Sequence, residues 1–183
     1  MYGLVNRGVE DLICRQYGEE TWEKIKEKAG FATETFISSI PYSDDTTSRL
    51  MVAAGEVLGL TTEQVMNSFG EHWLHDTTRE GYEEMIRMSG DTLPEFLFNL
   101  DTLHTRVALI YPNLRPPSYE CTDVTEQGML LHYRSHRLGM APLVIGLLRG
   151  LSEKFATPMT IEHISHSEEQ GVHDIFKLTY EQK

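Results

Sequence analysis

Residues His132 to Arg137, "HYRSHR", place Tyr133, Ser135 and Arg137 at a period of two. In a β-strand that spacing lines three hydrogen-bond donors along one face. A solvated face of a half-buried sheet is the plain account of such a strand. The sharper account is a clamp for a planar or anionic ligand. Arginine takes a carboxylate in a two-pronged, charge-assisted contact, and the tyrosine and serine hydroxyls suit the remaining oxygens. A second candidate lies upstream. Leu97, Leu100, His104, Val107 and Tyr111 recur at helical spacing, so one histidine sits inside an apolar stripe. A buried imidazole must satisfy its nitrogens, because an unpaired one costs about 1–3 kcal/mol. A backbone carbonyl can do that. So can a metal centre, with the second nitrogen left to donate outward.

The other histidines point less clearly to chemistry. His72 and His75 form HxxH, while His163, His166 and His173 gather near the end. Neither set matches HExxH or a Cys/His zinc framework, and charged neighbours indicate exposed positions. Cys14 and Cys121 lie far apart and in no CxxC pair, so they read as small, partly buried apolar residues rather than as a disulfide or reactive thiols.

The elements that must position these residues follow from periodicity and caps. At 183 residues, 40% of them hydrophobic, the chain suits one domain, or one domain with two subdomains sharing a core. A net charge of -12 gives no general attraction for phosphate backbones or anionic membranes. No apolar run approaches the roughly 18 residues of a bilayer span, and the start lacks a signal-peptide pattern. A cytoplasmic protein that binds neither nucleic acid nor membrane is the expectation. "LVNRGVEDLICRQYG", "EETWEKIKEKAG" and "DDTTSRLMVAAGEVLGL" read as helices, and "TTEQVMNSFGEHWLHD" opens on a capping box of Thr61 and Gln64. "GDTLPEFLFNLDTLHTRVALIYPNLRPP" reads as the longest helix, capped by Asp91 or Thr92 and left at Pro112. "SYECTDV" and "GMLLHYRSH" then read as strands, "APLVIGLLRGLSEKF" as a helix, and "MTIEHISH" and "VHDIFKLTY" as a closing strand pair. Helices first and mostly antiparallel strands later predict an α+β fold.

Taken in order, "YGLVN", "NLDTLHTRVALIYP" around His104, the "RPPS" turn and Tyr133-x-Ser135-x-Arg137 resemble the heme-nitric oxide/oxygen-binding (H-NOX) family. The likeness is greatest to the sensor domain that opens the soluble guanylate cyclase beta subunit, and it runs from Met1 almost to Lys183. The resemblance implies one heme domain over 1–183, with a helical N-terminal subdomain over about 1–60 and a heme-holding one over about 61–183. The heme b (iron protoporphyrin IX) would lie between the helices and the sheet. His104 would be the proximal iron ligand, and Tyr133, Ser135 and Arg137 would bind the propionates. Pro117 matches the proline that presses on the heme plane; without the resemblance it is a simple turn residue. Leu100, one turn before His104, would join the cofactor contacts.

The resemblance also bears on the choice of gas. Oxygen-binding members carry a tyrosine donor on the helix after the Tyr-x-Ser-x-Arg strand, and "LVIGLL" puts Leu143 there. Losing a donor worth about 1.5–3 kcal/mol weakens dioxygen binding roughly ten- to a hundred-fold or more. Val5, Val9, Leu143 and Leu147 would form an apolar distal wall. Trp73 borders it, either as core packing or as an indole donor. The implied function is a non-enzymatic sensor that binds nitric oxide and CO, excludes dioxygen and signals through breakage of the iron–histidine bond. Because the chain stops at Lys183, the expectation is a stand-alone bacterial member acting on a separate histidine kinase or cyclic-nucleotide or cyclic-di-GMP signalling protein. The alternatives are an apolar-ligand or interaction module of the same fold without heme, a zinc hydrolase using the terminal histidines, and a heme peroxidase. The hydrolase lacks an obvious general base, and the peroxidase would need polar distal acid–base residues.

Overall fold

Side chains satisfy free N–H groups in the first turns of the third and fourth helices, while the first two helices start without a side-chain cap. The computed structural model describes residues 1–77, 83–168 and 171–180. Helix α1 spans Gly3–Tyr17 and α2 spans Glu19–Ala29, ending at Gly30 in the left-handed region with φ of 79°. Ser43 caps α3 (Asp44–Leu58), its Oγ accepting the Thr46 N–H at 3.3 Å. A reciprocal box opens α4 (Thr62–Thr77). The Thr61 N–H donates to Gln64 Oε1 at 2.8 Å, and the Gln64 N–H donates to Thr61 Oγ1 at 3.1 Å. The apolar faces of α1 to α4 close a first core around Val9, Ile13, Trp22, Ile25, Leu50 and Phe69.

The long periodic segment is two helices rather than the single one its spacing suggests. After the short α5 (Glu83–Arg87), α6 runs over Leu93–Phe98 and α7 over Leu100–Ile110. Between them Asn99 leaves helical geometry (φ −93°, ψ 4°), and its Nδ2 donates to the Ser89 carbonyl at 3.1 Å. A short amide side chain that finds a backbone acceptor competes with helix continuation, and here it wins. Thr92 caps α6 and Pro94 lies in its first turn.

The rest of the chain forms β1 (Ser118–Thr125), β2 (Gly128–Ser135), α8 (Ala141–Lys154), β3 (Met159–Ser167) and β4 (Val172–Tyr180). The strands make one antiparallel sheet in the order β1-β2-β4-β3. Strand β4 alternates, with Val172, Asp174, Phe176, Leu178 and Tyr180 buried. Leu131, Phe176 and Leu178 pack with Val144, Leu148 and Leu151 of α8 in a second core. The architecture is α+β, eight helices and a four-stranded antiparallel sheet among the described residues. No helix among them is long and apolar enough to cross a membrane.

Helices α4 and α8 join the two cores and cross on glycines. A Cβ at Gly146 would drive into the Asn67 carbonyl oxygen, and one at Gly70 into the Leu143 carbonyl oxygen. The backbones approach this closely because neither helix carries a side chain there. Gly146→Ala must push the helices apart, and overpacking of this kind costs about 1–3 kcal/mol. Chemical denaturation is expected to show that loss. A variant of unchanged stability would contradict the close crossing.

Candidate functional site

Between α7, the sheet, α8 and the first residues of the chain lies a cavity of about 280 Å³. Ordinary packing leaves few voids larger than a water molecule, and this one is many times that size. The space is therefore a built feature and not a packing defect. Its wall is mostly apolar, and the polar groups that reach it are His104, Tyr133, Arg115, Arg137, the Trp73 indole and neighbouring phenols.

His104 comes from α7, with Leu100, Leu103 and Val107 on the same lining face. Asp101, one turn earlier, fastens this face to the sheet by accepting the Tyr119 N–H on Oδ1 at 2.6 Å. The His104 ring lies 5.6 Å from the Tyr119 ring, which lies 5.4 Å from the Tyr133 ring. His104 Nδ1 is shut away from solvent and makes no hydrogen bond of good geometry, although the Pro117 backbone lies near enough to the ring to attract it. Burial lowers the His104 pKa against the opposing pull of Asp101 and the Pro117 backbone, so the imidazole is neutral and keeps a lone pair. Burial likewise pushes the Tyr119 hydroxyl far up, and it raises Tyr133 despite the Ser135 hydrogen bond and the Arg137 charge. Both phenols stay protonated donors.

The end of the cavity at Arg137 is arranged differently from a three-residue strand face. Strand β2 stops at Ser135, and Arg137 stands in the bend beyond it. Ser135 Oγ accepts the Arg137 N–H at 3.0 Å, which turns the chain there. The guanidinium then reaches across to the helical half. Nε donates to Asp44 Oδ2 and Nη1 to the Arg115 carbonyl, both at 2.9 Å. Asp44, in the first turn of α3, also takes the Met1 ammonium. Arg137 thus ties together α3, the end of β2 and the Arg115–Pro116–Pro117 turn. Two of its five N–H donors are engaged in these bonds.

On the opposite side, α4 supplies Phe69 and Trp73, with ring centroids 5.2 Å apart. Helix α8 supplies Leu143 and Leu147, and α1 supplies Val5. Gly8 of α1 makes room for the indole, since a Cβ there would sit 2.7 Å from the Trp73 ring. The cavity therefore brings together His104, Pro117, Tyr133, Arg137, Leu100, Val5, Trp73, Leu143 and Leu147. Val9 is not among its walls. One turn after Val5, it is fully enclosed by the first core. Ser135 stands off the wall and acts through Tyr133 and Arg137.

Several lining residues escape sequence reasoning. Phe69 carried a signal, because its i,i+4 spacing to Trp73 puts both on one helix face. Tyr2 packs against Tyr111 with tilted rings 4.5 Å apart, and its hydroxyl accepts the Asn113 N–H at 3.2 Å; no local pattern marked it. Of the remaining histidines, His72 is spent on the Ser68 carbonyl, its Nδ1 2.9 Å away. The side chain of His75 lies outside the described residues. His173 pairs with His132 on the outer face of the sheet, with rings 5.3 Å apart. Cys14 and Cys121 are free and partly buried.

A family model described as Haem-NO-binding matches residues 2–163. The chain belongs to this family of heme-binding gas-sensor domains, whose role is sensing rather than catalysis. Among curated relatives, soluble guanylate cyclase gcy-31 of Caenorhabditis elegans is 33% identical over 163 residues, 88% of this chain and 23% of its own length. Soluble guanylate cyclase 89Db of Drosophila melanogaster is 29% identical over 85% of this chain and 23% of its own length. The chain spans about a quarter of the length of these relatives. Among solved structures, an H-NOX protein from S. oneidensis in the Fe(II)NO ligation state superposes with a TM-score of 0.88 at 18% identity, covering 100% of both chains. An oxygen-binding H-NOX domain related to soluble guanylate cyclases, solved as its oxygen complex, gives 0.84 at 18% identity, covering 100% of this chain and 96% of its own. The shared fold is thus compatible with either gas.

The residues present fit a heme on grounds internal to this chain. The fit rests on an orphaned neutral imidazole nitrogen, apolar walls, and a protonated phenol and a guanidinium on the same cavity. The Asp44–Arg137 tie also has a pH signature. Burial alone would raise the Asp44 pKa, but hydrogen bonds from the Met1 ammonium and Arg137 outweigh it and hold the carboxyl below its ordinary range. A carboxyl with a depressed folded-state pKa stabilises fully above its unfolded value, about 3.9, and that help is lost as pH falls through the folded value. The Tm gap between wild type and Asp44→Asn is therefore expected to be full near neutrality and to narrow below about pH 4. A gap constant across that window would contradict the tie.

Proposed function

We propose that the chain is a sensor domain for nitric oxide, carrying a b-type heme held through His104. The observation that carries this reading is the unpartnered nitrogen of His104 beside a large apolar cavity that Tyr133 and Arg137 also border. The heme iron, when bound, supplies the coordination position for NO and CO. His104 offers its lone pair on one side of that position. Tyr133 and Arg137 take the acidic tails, and Ser135 orients both from behind. Hydrogen bonds to charged groups are worth about 1.5–3 kcal/mol each, so the trio fixes orientation as well as retention. Pro117 supplies a rigid apolar contact, since its ring cannot turn away.

Gas preference rests on the opposite wall. Leu143, Leu147, Val5 and Phe69 present no hydrogen-bond donor, and dioxygen, which gathers negative charge, gains nothing there. Trp73 acts as packing against Phe69 and Gly8 rather than as a donor to ligand. His104 would hold the iron and Pro117 would touch the macrocycle, so these two residues would link α7 and the Arg137–Asp44 tie to the gas. The gas moves an equilibrium only by differential affinity for its two states. We place the whole of 1–183 in one such domain, helical over about 1–60 and heme-holding beyond. It acts in the cytoplasm on a separate signalling protein, a histidine kinase or a cyclic-nucleotide or cyclic-di-GMP enzyme.

Electronic absorption of the ferrous protein tests this reading. A Soret band that shifts with CO and with NO but stays unchanged in air is the expected result. A persistent oxygenated spectrum would overturn the gas assignment and turn attention to Trp73. A protein that stays colourless after reconstitution with hemin would overturn the heme itself.

A further inference from the structure

Two guanidinium groups reach the cavity wall, those of Arg137 and Arg115. Arg137 is engaged, with Nε on Asp44 and Nη1 on the Arg115 carbonyl. Arg115 gives only that backbone oxygen. Among the described residues its side chain makes no hydrogen bond and no ion pair. The residue is exposed, so its guanidinium stands at the mouth of the cavity with one side in water. Its main chain is held. Pro116 follows directly and confines the residue before it to extended geometry, and the Arg137 bond fixes the carbonyl at 2.9 Å. A solvated arginine ordinarily needs no partner. One anchored on a cavity wall beside a second guanidinium differs, because like charges so placed repel until an anion lies between them.

The charges at this end can be counted. Asp44 carries one negative charge and meets two cations, the Met1 ammonium and Arg137. His136 Nε2 lies 3.7 Å from the same carboxylate. Burial first, then the charges of Arg137, Arg115 and the Met1 ammonium, hold the His136 pKa below its usual range against the pull of Asp44. The ring is therefore neutral near pH 7, and the Arg115 charge is felt within this cluster. Two cations less one carboxylate leave a single positive charge from Met1, Arg137 and Asp44. A heme brings two carboxylates, hence two negative charges. The second positive charge on the wall is Arg115, with its whole fork of N–H donors still open to a two-pronged contact.

We propose that Arg115 is a second cationic partner of the heme carboxylates, closing on one propionate at the cavity mouth while Arg137 and Tyr133 hold the acidic tails from within. The inference rests on the heme reading above and deepens it, adding a residue outside the Tyr133-x-Ser135-x-Arg137 pattern. Arg115 also lies two residues before Pro117 in the same turn. A propionate held by its side chain would fasten the turn that presents the proline ring, from the side opposite the Arg137 bond to its carbonyl. Because the guanidinium is partly in water, the contact is screened by salt.

The test is the rate at which the loaded protein gives up its porphyrin to excess apomyoglobin, measured with hemin and with hemin dimethyl ester, whose tails carry no charge. Arg115→Gln should lose hemin about fivefold faster than wild type, and the gap should narrow at high salt. Arg115→Lys, which keeps the charge, should recover much of the difference. With the dimethyl ester, wild type and Arg115→Gln should lose porphyrin at equal rates. Arg134→Gln removes the same charge on the outer face of the sheet, beside Glu120, and should match wild type. Resonance Raman spectra of the ferrous protein give a second reading, a shifted propionate bending band in Arg115→Gln and an unshifted one in Arg134→Gln. Equal hemin loss by wild type and Arg115→Gln, a gap of the same size with the ester, or the same acceleration in Arg134→Gln would overturn the assignment and leave the heme in place. A protein that takes up neither porphyrin would instead overturn the heme reading, and this role with it.

Discussion

A neutral imidazole that faces an apolar cavity with one nitrogen unsatisfied is the constraint around which the molecule is organised. Leaving such a group unpaired costs about 1–3 kcal/mol, a large share of a domain's net stability of about 5–15 kcal/mol. The fold keeps His104 in that position through several independent restraints. Asn99 ends the preceding helix, and α7 starts afresh at Leu100. Asp101 pins α7 to β1 through the Tyr119 N–H. Rings of Tyr119 and Tyr133 continue the contact from His104 into the sheet. The proposed ligand role of His104 rests on these restraints.

Arg137 meets the same cavity from another direction. Its bonds to Asp44 and to the Arg115 carbonyl make one side chain answerable to three parts of the chain. The Pro116–Pro117 turn is held through the carbonyl of the preceding Arg115, while β2 holds Tyr133 in register with both neighbouring strands. The glycine crossing of α4 and α8 supplies the remaining wall and keeps Phe69, Trp73, Leu143 and Leu147 on one side. A change at the His104 side can therefore reach α3 through few and identifiable contacts.

What was legible in the sequence was local. The Thr61–Gln64 box, the Gly30 stop and the histidine within an apolar stripe follow from rules that act within one or two turns. Tertiary partners broke the other readings. Asn99 ends a helix because the Ser89 carbonyl is there to receive its amide, and no pattern within the segment names that acceptor. The period of two holds to Ser135 and fails at Arg137, which the distant Asp44 draws out of the strand direction. Val5 and Val9 share a helix face, so periodicity cannot tell that only Val5 reaches the cavity. His163 and His166 seem set on opposite faces until a bulge and the buried Asp174 bring them together.

The central claim is that His104, and no other side chain, supplies the imidazole that holds the cofactor. Hemin titration of His104→Gly, with and without free imidazole, measures this directly. The account predicts little or no heme retention by the variant alone and recovery of stoichiometric binding when imidazole fills the vacated space. Full heme content in the variant without imidazole, with an unaltered spectrum, would contradict it.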